Sequence, residues 1–282
     1  MTTIRLVTDS TSDLTPEEIE KYSISVVPLN ISIDEHHYVD GVTISKEEFI
    51  KQMRQSANLP KTAQPAIGKF VEVYDELGKE ATHIISIHLM KSISGTVDSA
   101  RQAADITEAS VTVIDSQFTS RSMGQIVLEA AKAIDEGKSY EEVLDVINKA
   151  IENTILYLTV LELDNLIKGG RISRLMGAFS NLLNIKLFLQ VINGQIEIIQ
   201  KGRGLKSLQK KYDQVFQEML EVPQGIKAIS IMHAGLNEFN QANIDILRKL
   251  FPNVPLTVVV TSPIIMSHTG ENAMALTYLM NE

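Results

Sequence analysis

The sequence predicts an α/β protein of two units, the first built on a mainly parallel sheet and the second on a mixed one. Three observations carry that reading. Short β-branched apolar runs alternate with amphipathic stretches, as β-α units require. Asn193-Gly194 separates two apolar runs in "LFLQVINGQIEIIQ", a hairpin signal because both turn positions need positive φ. The length of 282 residues suits two ordinary cores better than one.

In order along the chain, Ile4–Thr8 reads as a strand and "SDLTPEEIEKY" as a helix, with Thr15, Pro16 and Glu18 as N-cap, first-turn proline and capping-box acid. Val26–Ile33 is extended. Ser45 with Glu48, and Ser139 with Glu142, repeat the capping-box spacing. Phe70, Val73, Tyr74 and Leu77 recur at helical spacing. Thr82–His88 and Val111–Asp115 are strand-like, and the helix between them opens at "SISGT". Met123, Ile126, Val127, Ala130 and Ile134 line one face of a further helix. This organisation places a parallel β-α unit at residues 1–150 and a second α/β unit at residues 151–282. In the second unit Ile155–Leu161, Ile226–Met232 and Leu256–Thr261 read as strands, and "SHTG" follows the last strand and opens the last helix.

Composition narrows the function. A hydrophobic fraction of 44%, a charged fraction of 22% and a net charge of −9 without a basic run give no support to nucleic-acid binding. There is no cysteine, so disulfide and thiol chemistry are excluded. The opening "MTTIRLVTDS" lacks a signal-peptide pattern, and no apolar stretch nears the roughly 20 residues that span a bilayer. A cytoplasmic protein is expected. Neither G-x-x-x-x-G-K-[ST], G-x-G-x-x-G nor G-x-S-x-G occurs, so the chain shows no nucleotide site or nucleophile elbow of its own.

Candidate chemistry lies at the junctions. Ser92, Ser94, Gly95 and Thr96 stand where backbone N–H groups and hydroxyls can hold an anion, or where a serine merely caps a helix. His268 sits where α/β sheets gather ligands. Thr62 of "TAQP" is a loop hydroxyl before a helix-opening proline. Arg171 of "KGGRIS" and Arg203 of "KGRG" could pair with a carboxylate or phosphate, or be solvated. "DEHHYVD" matches no closed zinc spacing and reads as a polar loop. His233 ends a strand.

Taken in order, "DSTSDL", "VVPL", "TAQP", "SISGT", "VIDS", "KGGRIS" and "HTG" resemble the DegV family along essentially the whole chain. That family is similar to the fatty-acid-binding subunit of bacterial fatty acid kinase, which encloses a long-chain fatty acid while a separate ATP-binding kinase subunit phosphorylates its carboxylate. The resemblance implies that Thr62, Ser94 and His268 hold the carboxylate and that Arg171 and Arg203 meet the phosphoryl group or the partner. It implies a ligand site near the interface of the two units, no catalytic residue, metal or cofactor in this chain, and transient contact with a membrane surface. The chain departs from the family pattern at Val97, where a tyrosine is expected, at "IKLFL" for "IKPIL", and at "MSHTGEN" for a "GTHTGPG"-like run.

The implied chemistry is physically coherent. A carboxylate ionised near pH 7 needs no general base, and phosphoryl transfer demands position and charge neutralisation. About 0.8 kcal/mol per buried methylene makes some 15 of them worth on the order of 12 kcal/mol, against roughly 1.5–3 for one charge-assisted hydrogen bond. The tail would dominate affinity and the head group orientation. "ILYLTVLEL" and "NLLNIKLFLQVI" are candidate walls for it. Two other readings remain: a serine hydrolase using Ser94 and His268 with Asp115, and a carrier or sensor of another amphipathic anion.

Overall fold

The computed structural model describes residues 3–171 and 185–282. They divide into two units, Met1–Glu152 with Ser262–Ile264, and Asn153–Thr261 with Ile265–Glu282.

The first unit runs β1 (Ile4–Asp9), α1 (Pro16–Lys21), β2 (Ser25–Val27), β3 (Asn30–Ile33), β4 (His36–Val39), α2 (Lys46–Gln55), β5 (Lys61–Ala63), α3 (Ile67–Gly78), β6 (His83–His88), α4 (Thr96–Ala104), β7 (Val111–Asp115), α5 (Ser120–Asp135) and α6 (Tyr140–Glu152). Its main sheet has four strands in the order β2-β1-β6-β7, all parallel. The local signals act as expected. Thr15 accepts from the Glu18 amide while the Glu18 carboxylate accepts from the Thr15 amide. Ser139 and Glu142 cap reciprocally in the same way. Phe70 and Tyr74 of α3 and Ala100 and Ala103 of α4 pack on Val7, Val27 and Ile84 of the sheet.

The extended stretch around residues 26–33 is two strands, not one. Pro28, which lacks an N–H, falls between them. β3 leaves the parallel sheet and builds a three-stranded antiparallel sheet, β4-β3-β5. "DEHHYVD" is therefore its hairpin, turning at Asp34 with φ 50° and continuing as β4.

The second unit runs β8 (Thr154–Val160), α7 (Asp164–Lys168), β9 (Ile185–Ile192), β10 (Gln195–Arg203), α8 (Leu205–Leu220), β11 (Ile226–His233), α9 (Glu238–Leu250), β12 (Leu256–Val260), α10 (Pro263–Thr269, whose first two residues group with the first unit) and β13 (Met274–Met280). Its six strands order as β10-β9-β8-β13-β11-β12, with only β11 and β12 parallel. Asn193 and Gly194 turn the β9-β10 hairpin at φ 50° and 69°.

Strand alternation splits the apolar residues into two clusters. Tyr157, Phe188, Ile229, Ile231, Met274 and Leu276 meet α8 and α9 in the larger core. Their sequence neighbours Val160, Leu187 and Leu189 join Leu163 and Leu166 in a second cluster, edged by Leu158, Ile196 and Ile198.

The expectation that "SHTG" opens the last helix is corrected by the structure. "SHTG" closes the last helix, and the chain ends in a strand. Gly270, at φ 73°, donates its N–H to the Met266 carbonyl, the geometry of a helix stop. "MALTYLM" then lies between β8 and β11, its residues buried up to Leu279. Pairing on both edges outweighs the helix propensity of its Met, Ala and Leu.

Candidate functional site

In the first unit the registers pair Val27 with Asp9 and His88 with Asp115 at the carboxyl edge of the parallel sheet, and a side-chain hydrogen bond joins Asp9 to His88. That edge is where open α/β sheets expose loop backbone to ligands. The loop after β6, which carries Ser94, starts from it.

Three consecutive amides of that loop are held. Leu89 donates to Asp9 Oδ2 at 3.1 Å, Met90 to the Phe118 carbonyl at 2.7 Å, and Lys91 to the Asp115 carboxylate at 3.3 Å. Asp9 is the hub. Its Oδ2 also accepts from His88 Nδ1 at 3.0 Å, and its Oδ1 accepts from the Thr11 amide at 3.0 Å and the Thr11 hydroxyl at 2.6 Å. Because Asp9 only accepts, His88 Nε2 is left to accept from Ser86 Oγ at 2.7 Å, and Ser86 accepts from the Tyr74 hydroxyl at 2.8 Å. All four side chains are fully buried. This Asp-His-Ser order has no solvent access, so it braces the sheet edge rather than offering a nucleophile.

Ser94 is half-buried beside the start of α4. Its Oγ lies 2.9 Å from Thr96 Oγ1 and accepts from the Thr96 amide at 3.3 Å. Thr62 is half-buried in β5, opposite Ile31. Gln64, two residues on, bridges the two motifs: its Nε2 donates to Ser99 Oγ of α4 at 2.8 Å. Its amide also lies on Gly95, where an added Cβ would stand 2.1 Å from Gln64 Oε1. Asp115, the acid of the hydrolase reading, is occupied by the amides of Lys91 and Gln117.

In the second unit a continuous register row crosses the sheet, Lys201–Leu187–Val160 beside Thr159–Met274–His233–Val260. Arg203, α7 with Arg171 beyond it, and the "HTG" turn before Met274 all issue from that end. The glycines make the meeting of "KGGRIS" and "HTG" possible. A Cβ on Gly169 would stand 2.5 Å from His268 Nδ1 and 2.7 Å from the Asn165 carbonyl. Asn165 Nδ2 donates to the Ser267 carbonyl at 3.1 Å, tying α7 to α10. Arg171 is exposed, with Nη1 on the Gly169 carbonyl at 2.7 Å, and Arg203 is exposed at the end of β10.

Burial, with the nearby Arg171 charge adding to it, pulls the His268 imidazole from 6.5 down to about 4. It is therefore neutral at pH 7 and can donate one N–H to an anion. Among the described residues, no group of three or more His, Cys, Asp or Glu side chains could hold a metal ion.

Thus Thr62 and Ser94 belong to one unit, and His268, Arg171 and Arg203 to the other. Asp9, His88, Gln64 and Asn165 emerge only from the structure. "DSTSDL" contains Asp9 at a strand end, and Gly95 marks a close approach, but neither signal names its partner. Residues 181–184 of the candidate wall "NLLNIKLFLQVI", and Ile172 and Ser173 of "KGGRIS", lie outside the described residues.

A family model described as "Uncharacterised protein, DegV family" matches residues 3–281. A DegV domain-containing protein of Streptococcus pyogenes is 40% identical over 281 residues, covering 98% of each chain. A structure of fatty acid binding by a DegV family protein from Thermus thermophilus matches with TM-score 0.87 and 31% identity, covering 99% of this chain and 100% of that one. One of DegV, a fatty acid binding protein from Bacillus subtilis, matches with TM-score 0.91 and 28% identity over 100% of both chains.

Proposed function

The chain belongs to the DegV family, and from that premise we propose that it binds a long-chain fatty acid, sequesters the acyl chain and presents the carboxylate to a separate ATP-dependent kinase subunit. The observation that carries the reading is the end-to-end match to a fatty-acid-binding structure at 31% identity. On this reading Thr62 and Ser94 from the first unit and His268 from the second hold the carboxylate, while Arg171 and Arg203 face the incoming phosphoryl group or the partner.

The chemistry of these groups supports the assignment. Two hydroxyls and a neutral imidazole are hydrogen-bond donors that orient a carboxylate without neutralising it, which leaves its oxygen nucleophilic. The exposed guanidinium groups are the type that stabilises a transferring phosphoryl group. On this reading ATP and its metal arrive with the kinase subunit, and the bound chain alone does not turn over. On this reading the buried apolar cluster of Val160, Leu163, Leu166, Leu187 and Leu189 is the candidate wall for the acyl chain. The protein works in the cytoplasm and touches a membrane surface transiently to exchange its ligand.

The hydrolase reading has less support, because the carboxylate it would use on Asp115 is already held by two backbone amides. Organic extraction of unstripped, purified protein followed by mass spectrometry tests the proposal. A stoichiometric long-chain fatty acid, converted to acyl phosphate only when an ATP-binding kinase subunit is added, is the expected result. An extract without fatty acid, from protein that also fails to take one up, overturns it.

A further inference from the structure

We propose that Gln64 is a positioning residue of the head-group site, clamping the strand that carries Thr62 to the helical turn that carries Ser94. The inference rests on the head-group assignment above and adds the part that sets the spacing between its two hydroxyls.

The geometry is specific. Ser99 donates its amide to the Gly95 carbonyl at 2.9 Å, so Gly95 and Ser99 stand one above the other on a single helix face. Gln64 spans both. Its Nε2 donates to Ser99 Oγ at 2.8 Å, while its Oε1, Cδ and Nε2 lie 2.1, 2.8 and 2.9 Å from where a Gly95 Cβ would be. The side-chain amide therefore occupies the space beside Gly95 that a Cβ would fill.

Gly95 itself has φ −80° and ψ 9°, a conformation open to any residue. The glycine leaves space that the Gln64 side-chain amide occupies, and a Cβ there would push that amide aside. Ser94 rides on the same turn through its contact with Thr96 Oγ1. Thr62 to Gln64, then Gln64 to Gly95, is thus a direct mechanical link between the two hydroxyl-bearing segments. Hydroxyl donors orient a carboxylate only at a fixed separation, so loosening this link should cost head-group recognition and leave the acyl chain's binding intact.

The test uses the purified full chain and two probes of equal length, a long-chain fatty acid and the corresponding alcohol. Gln64→Ala is expected to lower the acid-to-alcohol affinity ratio about fivefold to tenfold, the range of a lost neutral hydrogen bond. In a Ser94→Ala background the same substitution should change that ratio no further. Gly95→Ala should lower the ratio as well, and adding Gln64→Ala to it should lower it no further, because both substitutions remove the same contact. Gln64 is exposed, so its removal is tolerated by the fold. If Gln64→Ala leaves the ratio within about twofold of wild type while Ser94→Ala lowers it, the clamp is refuted and the head-group assignment stands. If wild type itself prefers the alcohol, or binds neither probe, the head-group assignment falls with it.

Discussion

Replacing Asp9 with asparagine separates a hub from a bystander in the buried network of the first unit. Asp9 has two acceptor oxygens and four donors: the Thr11 amide and hydroxyl on Oδ1, and His88 Nδ1 and the Leu89 amide on Oδ2. Asparagine offers one oxygen and one NH2 group. With its oxygen toward His88 and Leu89, its NH2 faces the Thr11 amide, donor against donor, and only the Thr11 hydroxyl can rotate to accept. With the reverse orientation, both Leu89 and His88 lose their acceptor.

Either way at least one fully buried donor is stranded, at about 1–3 kcal/mol, and the remaining bonds lose their charge assistance. The total is on the order of 3–5 kcal/mol. For a unit of this size each kcal/mol moves the melting temperature by about 2–4 °C, so a fall of roughly 6–20 °C is expected. Thermal and urea unfolding followed by circular dichroism read this directly. Tyr74→Phe serves as the internal scale, because it removes only the terminal donor of the chain and should cost about 1 kcal/mol. Asp9→Asn unfolding within 1 kcal/mol of wild type, or costing no more than Tyr74→Phe, would refute the hub argument.

Three further outcomes follow from the same geometry. Gly169→Ala drives a methyl group to within 2.5 Å of His268 Nδ1; displacing the ring should cost about tenfold in fatty-acid affinity through a lost head-group hydrogen bond and leave alcohol affinity nearly unchanged, measured by titration. Asp40 is buried beside Asp13, Asp9, Lys46 and Ser10, and burial first, with the acidic neighbours adding to it, raises its carboxyl from 3.8 to about 7. The folded state then holds a proton the unfolded state has lost, so this contribution to stability is complete below pH 3.8 and disappears as pH rises through about 7. Asp40→Asn should remove that slope, and the difference in unfolding free energy between variant and wild type, from urea titrations, should grow by on the order of 3 kcal/mol from pH 5 to pH 8. Ser94→Ala should cut acyl phosphate formation in a kinase-coupled assay by about 10- to 100-fold, more than the roughly fivefold to tenfold it costs in fatty-acid affinity, since misplacement costs rate more than binding.

Much of the fold was legible because its signals are local. Thr15 with Glu18, Ser139 with Glu142, and Asn193-Gly194 each act within four residues, and each formed the expected cap or turn. The strand-helix alternation of the first half likewise reflects periodicity within single elements. The antiparallel β4-β3-β5 sheet was not legible, since nothing short-range says that β3 abandons β2's sheet. "MALTYLM" misled for the same reason. Its own residues permit a helix, and only the partners offered by β8 and β11 make it a strand.

The candidate site divides along the same line. Thr62, Ser94, Arg171, Arg203 and His268 could be named from motifs that are contiguous in the chain. Their supports could not, because Asp9 meets His88 across 79 residues, Gln64 meets Ser99 across 35, and Asn165 meets Ser267 across 102. By itself the sequence determined the α/β class, the caps, the hairpin and the chemical identity of the donors. Only the tertiary structure decided which glycine makes room for which side chain and which carboxylate holds the Ser94 loop. Those are contacts between segments far apart in the chain, and their energies depend on distance in space, to which a linear pattern of residue types is blind.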